Sequence, residues 1–181
     1  MHFSVLRRLL LVATALVLAS FATDTPEDEL KSAVVLSFLR YGEWRPAPQA
    51  NAPLLVGVVG RDSFAETLRR NLEGKQVGDH SIHIVALKNP NEPHVCHILY
   101  FAEDRSVDTK AVLQGAALAH ALTIGESKDF LAQGGAVNLF LLDGHIAFEV
   151  NLEALDRAGI SISSRLLRFG QIRNARKGER S

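Results

Sequence analysis

The chain has a single cysteine, Cys96, among 181 residues, so no intramolecular disulfide can staple it and a packed core must hold it together. It has no charge excess. Its 20 Lys and Arg stand against 20 Asp and Glu, which removes the electrostatic ground for nucleic-acid binding. It also lacks an apolar run of membrane-spanning length: Leu9 to Ala22 (LLLVATALVLASFA) would cover about 21 Å as a helix, short of the roughly 30 Å hydrocarbon core. Neither a G-x-G-x-x-G fingerprint, a P-loop lysine nor a G-x-S-x-G elbow occurs, so nucleotide binding and serine hydrolysis lack their usual signatures.

What is present begins with that same short run. Arg7 and Arg8 precede it and Ser20-Phe21-Ala22 end it with small residues, the pattern of a cleavable signal peptide over residues 1–22. No cysteine lies near the cleavage point to accept lipid. The expectation is an exported protein whose mature form begins at Thr23 and carries 18 cations against 20 anions, a net charge of −2. The remaining 159 residues suit a single domain over 23–170 that buries about 70% of its unfolded surface. Residues 171–181, with Arg173, Arg176, Lys177 and Arg180, read as a basic, frayed tail.

Element signals alternate along the chain. Thr25-Pro26-Glu27-Asp28 opens a helix with a cap, a first-turn proline and acidic residues. Leu30, Ala33, Val34, Ser37, Phe38 and Tyr41 then recur on one face, while Val35, Leu36 and Leu39 lie off it, so the helix is apolar around much of its circumference. Such a helix is buried between layers or shared with another subunit. Leu54 to Gly60 reads as a buried strand, followed by a helix capped at Asp62-Ser63, with Ser63 and Glu66 at capping-box spacing and Gly74 as its stop. Further strands are expected at Ile82 to Leu87, Val95 to Phe101 and about Ala119 to Ile124. Helices are expected near Val107 to Gln114, Ser127 to Ala132 and Leu152 to Ala158, then a turn capped by Ser161 or Ser163. The class is α/β: one domain, a mostly parallel sheet of about six strands, helices on both faces and a C-terminal antiparallel hairpin at one edge. Only KNPNEPH separates the strands ending at Leu87 and starting at Val95, too little for an ordinary crossover helix, so their pairing stays open.

Little chemistry stands out. Gly60 and Gly125 end strands ahead of a helix and a helix-like segment, so their loops are candidate anion or small-molecule sites. Ser161 and Ser163 are candidate ligand or nucleophile hydroxyls whose plain role is capping. His94, Cys96 and His97 are ligand types in a row, but in a strand Cys96 and His97 point to opposite faces, and His80 and His83 are no i, i+4 pair. No metal or other cofactor is expected. Cys96 reads as a buried thiol, with an intermolecular disulfide or redox switch as the alternatives.

The segment GGAVNLFLLDGHIAFEVN, Gly134 to Asn151, yields its register directly. A two-residue turn at Asp143-Gly144 sets Leu141 opposite Ile146, Leu139 opposite Phe148 and Val137 opposite Val150 on one apolar face. The other face pairs Leu142 with His145, Phe140 with Ala147 and Asn138 with Glu149. This hairpin and AGISISSRLLRFGQI, Ala158 to Ile172, resemble the C-terminal half of the YfiR-like family of secreted bacterial regulators. ELKSAVVLSFLRYGEWRP, Glu29 to Pro46, and VCHILYF, Val95 to Phe101, are similar to that family's opening helix and central Cys-His strand. Two departures are visible: Arg45 intervenes where the family has Pro after Trp, and the further cysteines of some members are absent.

The resemblance implies a non-catalytic periplasmic protein that binds the periplasmic sensor domain of an inner-membrane diguanylate cyclase and holds it inactive. It also implies a homodimer, lowered cyclic di-GMP and less biofilm, and a second partner, an outer-membrane or peptidoglycan-associated lipoprotein, that draws it away. Within it, Phe38, Tyr41, Trp44 and Arg45 at the end of the first helix are the partner-binding candidates, because aromatic residues and Arg dominate interfaces and RPAPQANAP ends the helix beside them. Two alternatives from other classes remain: a periplasmic small-molecule receptor using Gly60 and Gly125, and a hydrolase using Ser161 to Ser164.

Overall fold

The computed structural model of the protein describes residues 26–88, 96–102 and 108–173. The signal segment, the Thr25 cap, His94, Val95, Val107 and the tail beyond Arg173 lie outside the described residues. The first helix, α1 (Pro26–Tyr41), leads into β1 (Gly42–Trp44) and then β2 (Leu54–Val59). Next come α2 (Asp62–Leu72), β3 (Gln76–Val77), β4 (His80–Leu87), β5 (Ile98–Phe101), α3 (Thr109–Leu118) and β6 (Leu122–Gly125). The hairpin strands are β7 (Val137–Leu142) and β8 (His145–Asn151), followed by α4 (Leu152–Arg157), β9 (Ile160–Ile162), α5 (Ser164–Leu167) and β10 (Gln171–Arg173).

Among the described residues the main sheet has eight strands in the order β10-β8-β7-β6-β5-β2-β4-β3, against the expected six or so. Its five central strands β4, β2, β5, β6 and β7 are parallel and follow the doubly wound order 2-1-3-4-5. The open question about KNPNEPH has a simple resolution. β4 and β5 do not pair with each other; β2 lies between them and pairs with both. The hairpin register is the one derived from the sequence, from Val137 opposite Val150 to Leu142 opposite His145. Asp143 and Gly144 carry positive φ of 50° and 78°, the backbone a type I′ turn needs. The hairpin is not the sheet's edge, however, because β10 adds in parallel outside β8.

That edge strand corrects the reading of a frayed tail from residue 171. Gln171–Arg173 is strand, and Arg173 is paired to Glu149 at 2.7 Å. Its polar composition conceals it, because edge residues need only backbone partners. A second ribbon that the sequence did not announce joins β1 to β9, with Trp44 opposite Ile160. The stretch expected as a helix from Ser127 to Ala132 is instead a run of turns, with Phe130 N–H bonded to Ser127 O and Gly134 N–H to Leu131 O. α3 runs through Gly115 to Leu118 and is capped by Asp108, whose carboxylate accepts Ala111 N–H at 3.2 Å. At the start of α2 the cap position is Arg61, without a side-chain bond, so Asp62 and Ser63 sit inside the helix.

One core lies on each face of the sheet. α1, α2, α4 and α5 enclose the larger, built around Phe38, Phe64, Tyr100 and Phe148. α3 and the turn bearing Phe130 close the smaller on the other face, which also takes in Cys96. Cys96 is 4% exposed, and burial raises its thiol pKa. Cys96→Ala should therefore leave the oligomeric state unchanged on non-reducing gels. A dimer that falls to monomer with reductant would contradict this.

α1 packs with a face different from the expected one. Its buried residues are Asp28, Lys31, Ser32, Val35, Phe38 and Leu39, whereas Leu30 and Tyr41 are 44% and 42% exposed. The face is turned by roughly 130° about the helix axis. Hydropathy could not find it, because its N-terminal half is charged and buried only through ion pairs.

Candidate functional site

Three places in the fold bear on function. The first is the carboxyl end of the parallel strands, where doubly wound sheets hold ligands beside the strand at which the order reverses. Gly60, with φ of 100°, follows β2, and Gly125 ends β6 there. The space is taken by the protein's own charges. Arg61 donates to both oxygens of Asp28 at 2.9 and 2.8 Å. Lys31 Nζ lies 2.7 Å from Glu27 and 2.9 Å from Glu126, and Tyr100 OH donates to Glu126 at 2.6 Å. Burial pulls the Lys31 pKa down, but hydrogen bonds and charge from Glu27 and Glu126 outweigh it and hold the ammonium above its ordinary value. Burial, reinforced by Glu126, pushes the Tyr100 phenol well up, so it stays a donor. A side chain at Gly125 would collide with the Phe130 ring at 2.4 Å. The strand's end is therefore packed against a ring.

The serines lie elsewhere. Ser161 is in the β1–β9 ribbon, where its Oγ donates to Glu43 at 3.3 Å, and Ser163 caps α5 by accepting Arg165 N–H at 3.3 Å. The ribbon is tied to the amino end of the sheet, since Arg45 N–H bonds Gly159 O and Trp44 Nε1 donates to His97 O at 3.0 Å, just ahead of β5. Gly60, Gly125, Ser161 and Ser163 are thus not gathered into one site. Among the described residues, no group of three His, Cys, Asp or Glu side chains lies close enough to hold a metal.

His97 anchors that amino end. Its Nδ1 accepts Leu55 N–H at 3.0 Å, its backbone N–H bonds Leu55 O, and Leu122 N–H bonds its carbonyl. Burial, with His80 nearby, lowers its pKa below the usual 6.5. A base whose folded pKa is depressed stays neutral while the unfolded chain takes up a proton. Its contribution to stability is therefore complete above about pH 6.5 and falls as pH drops towards the folded value. Denaturant melts of the purified protein between pH 7.5 and 5.5 should show this loss, and His97→Gln should flatten it.

The third place is a groove of about 470 Å³ between α1, β8 and α5. Val34 and Tyr41 form one wall, Ile146 the floor, and Phe169 with Arg165 and Arg168 the other wall. Phe169 is 78% exposed. Of the four residues expected at a partner surface, Tyr41 and Arg45 are on the surface. Phe38 is wholly buried, edge-on to Phe148 with ring centres 5.3 Å apart, and Trp44 is 8% exposed. Those two rings support the surface from beneath. Phe169, Arg165 and Arg168 went unnoticed in the sequence because RLLRF reads as one apolar turn. The signal was the length of that turn: α5 ends at Leu167, and Gly170 follows three residues later, so Phe169 has no helical face to bury it.

A solved structure, described as a conserved domain protein from Vibrio cholerae O1 biovar El Tor, shares the fold with a TM-score of 0.55 at 13% sequence identity. The match covers 83% of this chain, which spans 61% of that chain's length. No helix among the described residues is long and apolar enough to cross a membrane. The family model described as YfiR/HmsC-like matches residues 28–171, from the buried Asp28 of α1 to the first residue of β10. That match spans every element that shapes the groove, and on it the chain belongs to the YfiR/HmsC-like family.

Proposed function

We propose that the protein, as a homodimer, restrains an inner-membrane diguanylate cyclase by binding the cyclase's periplasmic domain in the groove between α1 and α5, and that an outer-membrane or peptidoglycan-associated lipoprotein relieves the restraint by drawing it away. The observation that carries this reading is the exposed ring of Phe169 facing Tyr41 across an apolar floor. Large exposed apolar side chains clustered beside a groove mark protein contacts, and Tyr, Phe and Arg are the residue types that anchor them. Arg165 and Arg168 at the rim favour a partner segment that is apolar at its centre and acidic at its edge.

Deleting the gene should raise cellular cyclic di-GMP. Phe169→Glu and Tyr41→Ala should reproduce the rise while the purified variants melt like the parent, because both side chains are exposed. Truncating an anchor costs at least about 2 kcal/mol, so binding to the isolated periplasmic domain should weaken about thirtyfold. An unchanged cyclic di-GMP level in the deletion strain would sink the cyclase reading. Variants that bind the domain normally would move the contact away from this groove.

A further inference from the structure

At the amino end of the sheet lies a cavity of about 380 Å³ walled by Trp44, Pro46, Pro48, Leu55, His97 and His120. We propose that it is a binding site for a small, uncharged, largely apolar molecule that carries one hydrogen-bond acceptor and one donor. This goes beyond the protein-binding role of the groove, with which it shares no lining residue. Its volume falls at the small end of the range for ligand sites, enough for a single-ring compound.

The polar character of the site follows from its two imidazoles. His97 Nδ1 accepts the Leu55 N–H, so the ring proton of the neutral His97 is on Nε2, which is a donor. His120 Nδ1 lies 2.9 Å from Ala158 O, and a carbonyl can only accept, so Nδ1 carries the proton and Nε2 is an acceptor. Neither Nε2 has a partner among the described residues. No buried side-chain nitrogen or oxygen there is left unbonded, so the Nε2 of the half-buried His97 opens to accessible space. Trp44 brings no further donor, because its Nε1 is spent on the His97 carbonyl. The two imidazoles thus offer one donor and one acceptor between apolar walls, with the exposed Gln49 amide as the other polar side chain on the lining.

Charge is selected against. No Lys, Arg, Asp or Glu lines the cavity, and an ionised ligand would lose water without gaining a counter-charge. A compound such as benzamide, with a planar ring, a carbonyl for His97 Nε2–H and an N–H for His120 Nε2, matches the walls and both polar groups. Benzoate, of nearly the same shape, carries a charge and no donor.

Both compounds can be titrated into the purified mature protein at about pH 7.5 while the imidazole nitrogens of His97 and His120 are followed by NMR. Benzamide should shift both rings with a Kd of about 1 mM, in line with its few heavy atoms. Benzoate should bind at least about tenfold more weakly, and His120→Ala, at an exposed position, should weaken benzamide by about tenfold, the loss of one hydrogen bond. Ala119→Phe, which fills the cavity from its rim, should abolish the shifts while the melting transition stays cooperative. Undisturbed imidazoles at saturating benzamide, equal binding of benzoate, or full binding by folded Ala119→Phe would each overturn the site. None of these outcomes depends on the cyclase.

Discussion

Lys31→Ala should destabilise the protein by about 3–5 kcal/mol at neutral pH, the cost of breaking a buried ion pair from one side. The Lys31 side chain is 6% exposed, and it neutralises Glu126, which is 11% exposed and also accepts the Tyr100 hydroxyl. Removing the ammonium strands that carboxylate between α1 and the end of β6. The penalty comes from the orphaned charge, so Lys31→Met combined with Glu126→Gln should recover most of it, as hydrophobic or neutral replacements of buried pairs commonly do. The folded pKa of Lys31 is raised above 10.5, so its contribution persists below the unfolded value and is lost only as pH rises through the folded one. Denaturant melts at pH 7 of the single and double variants are the measurement. If the single variant loses less than about 1 kcal/mol, the network is a solvated surface cluster.

Phe148→Ala should cost about 3–5 kcal/mol, while His145→Ala, three residues earlier on the same strand, should cost under about 1 kcal/mol. Phe148 is 4% exposed, edge-on to Phe38 of α1, and packed so tightly under α5 that a Cβ on Gly170 would lie 2.1 Å from its ring. Truncation leaves a cavity where α1, β8 and α5 meet. His145 sits exposed beside the turn. Equal, small losses in urea melts would mean that neither side chain lies where the hairpin register puts it. Because Phe148 also lines the groove from below, Phe148→Ala should weaken partner binding together with stability, whereas Phe169→Glu should affect binding alone.

The hairpin was legible because its information is local. Asp143-Gly144 specifies a tight turn, and strand alternation then pairs every residue through to Val137 and Val150 without reference to the rest of the chain. The end of α2 behaved similarly: Gly74, with φ of 72°, follows it where the sequence placed its stop. Buried parallel strands announced themselves as apolar runs, as in Leu54–Val59.

Pairings between distant segments were a different matter. Nothing in YGEW or GISIS says that residues 42–44 and 160–162 form a ribbon, and nothing in GQIR says that it completes the sheet outside β8. These strands are held by backbone groups, which every sequence has. The orientation of α1 illustrates the same limit. By hydropathy the stripe from Leu30 to Tyr41 should be buried, yet the helix turns Asp28 and Lys31 inward, because Arg61, at the start of α2, and Glu126, after β6, supply opposite charges there.

That rotation shapes both candidate sites. It fills the carboxyl end of the sheet with α1's charges, and it leaves Val34 and Tyr41 outside to form the groove with Phe169. The sequence by itself determined an α/β domain without disulfides, the hairpin register and the family likeness, since composition, periodicity and turn chemistry are properties of neighbouring residues. Only the tertiary structure decided which face of α1 is buried, that Trp44 lies inside while Phe169 lies outside, and that two histidines meet prolines around a cavity. Each of those depends on where the chain brings together residues that are far apart in sequence, and burial of charge is favourable only once such partners have met.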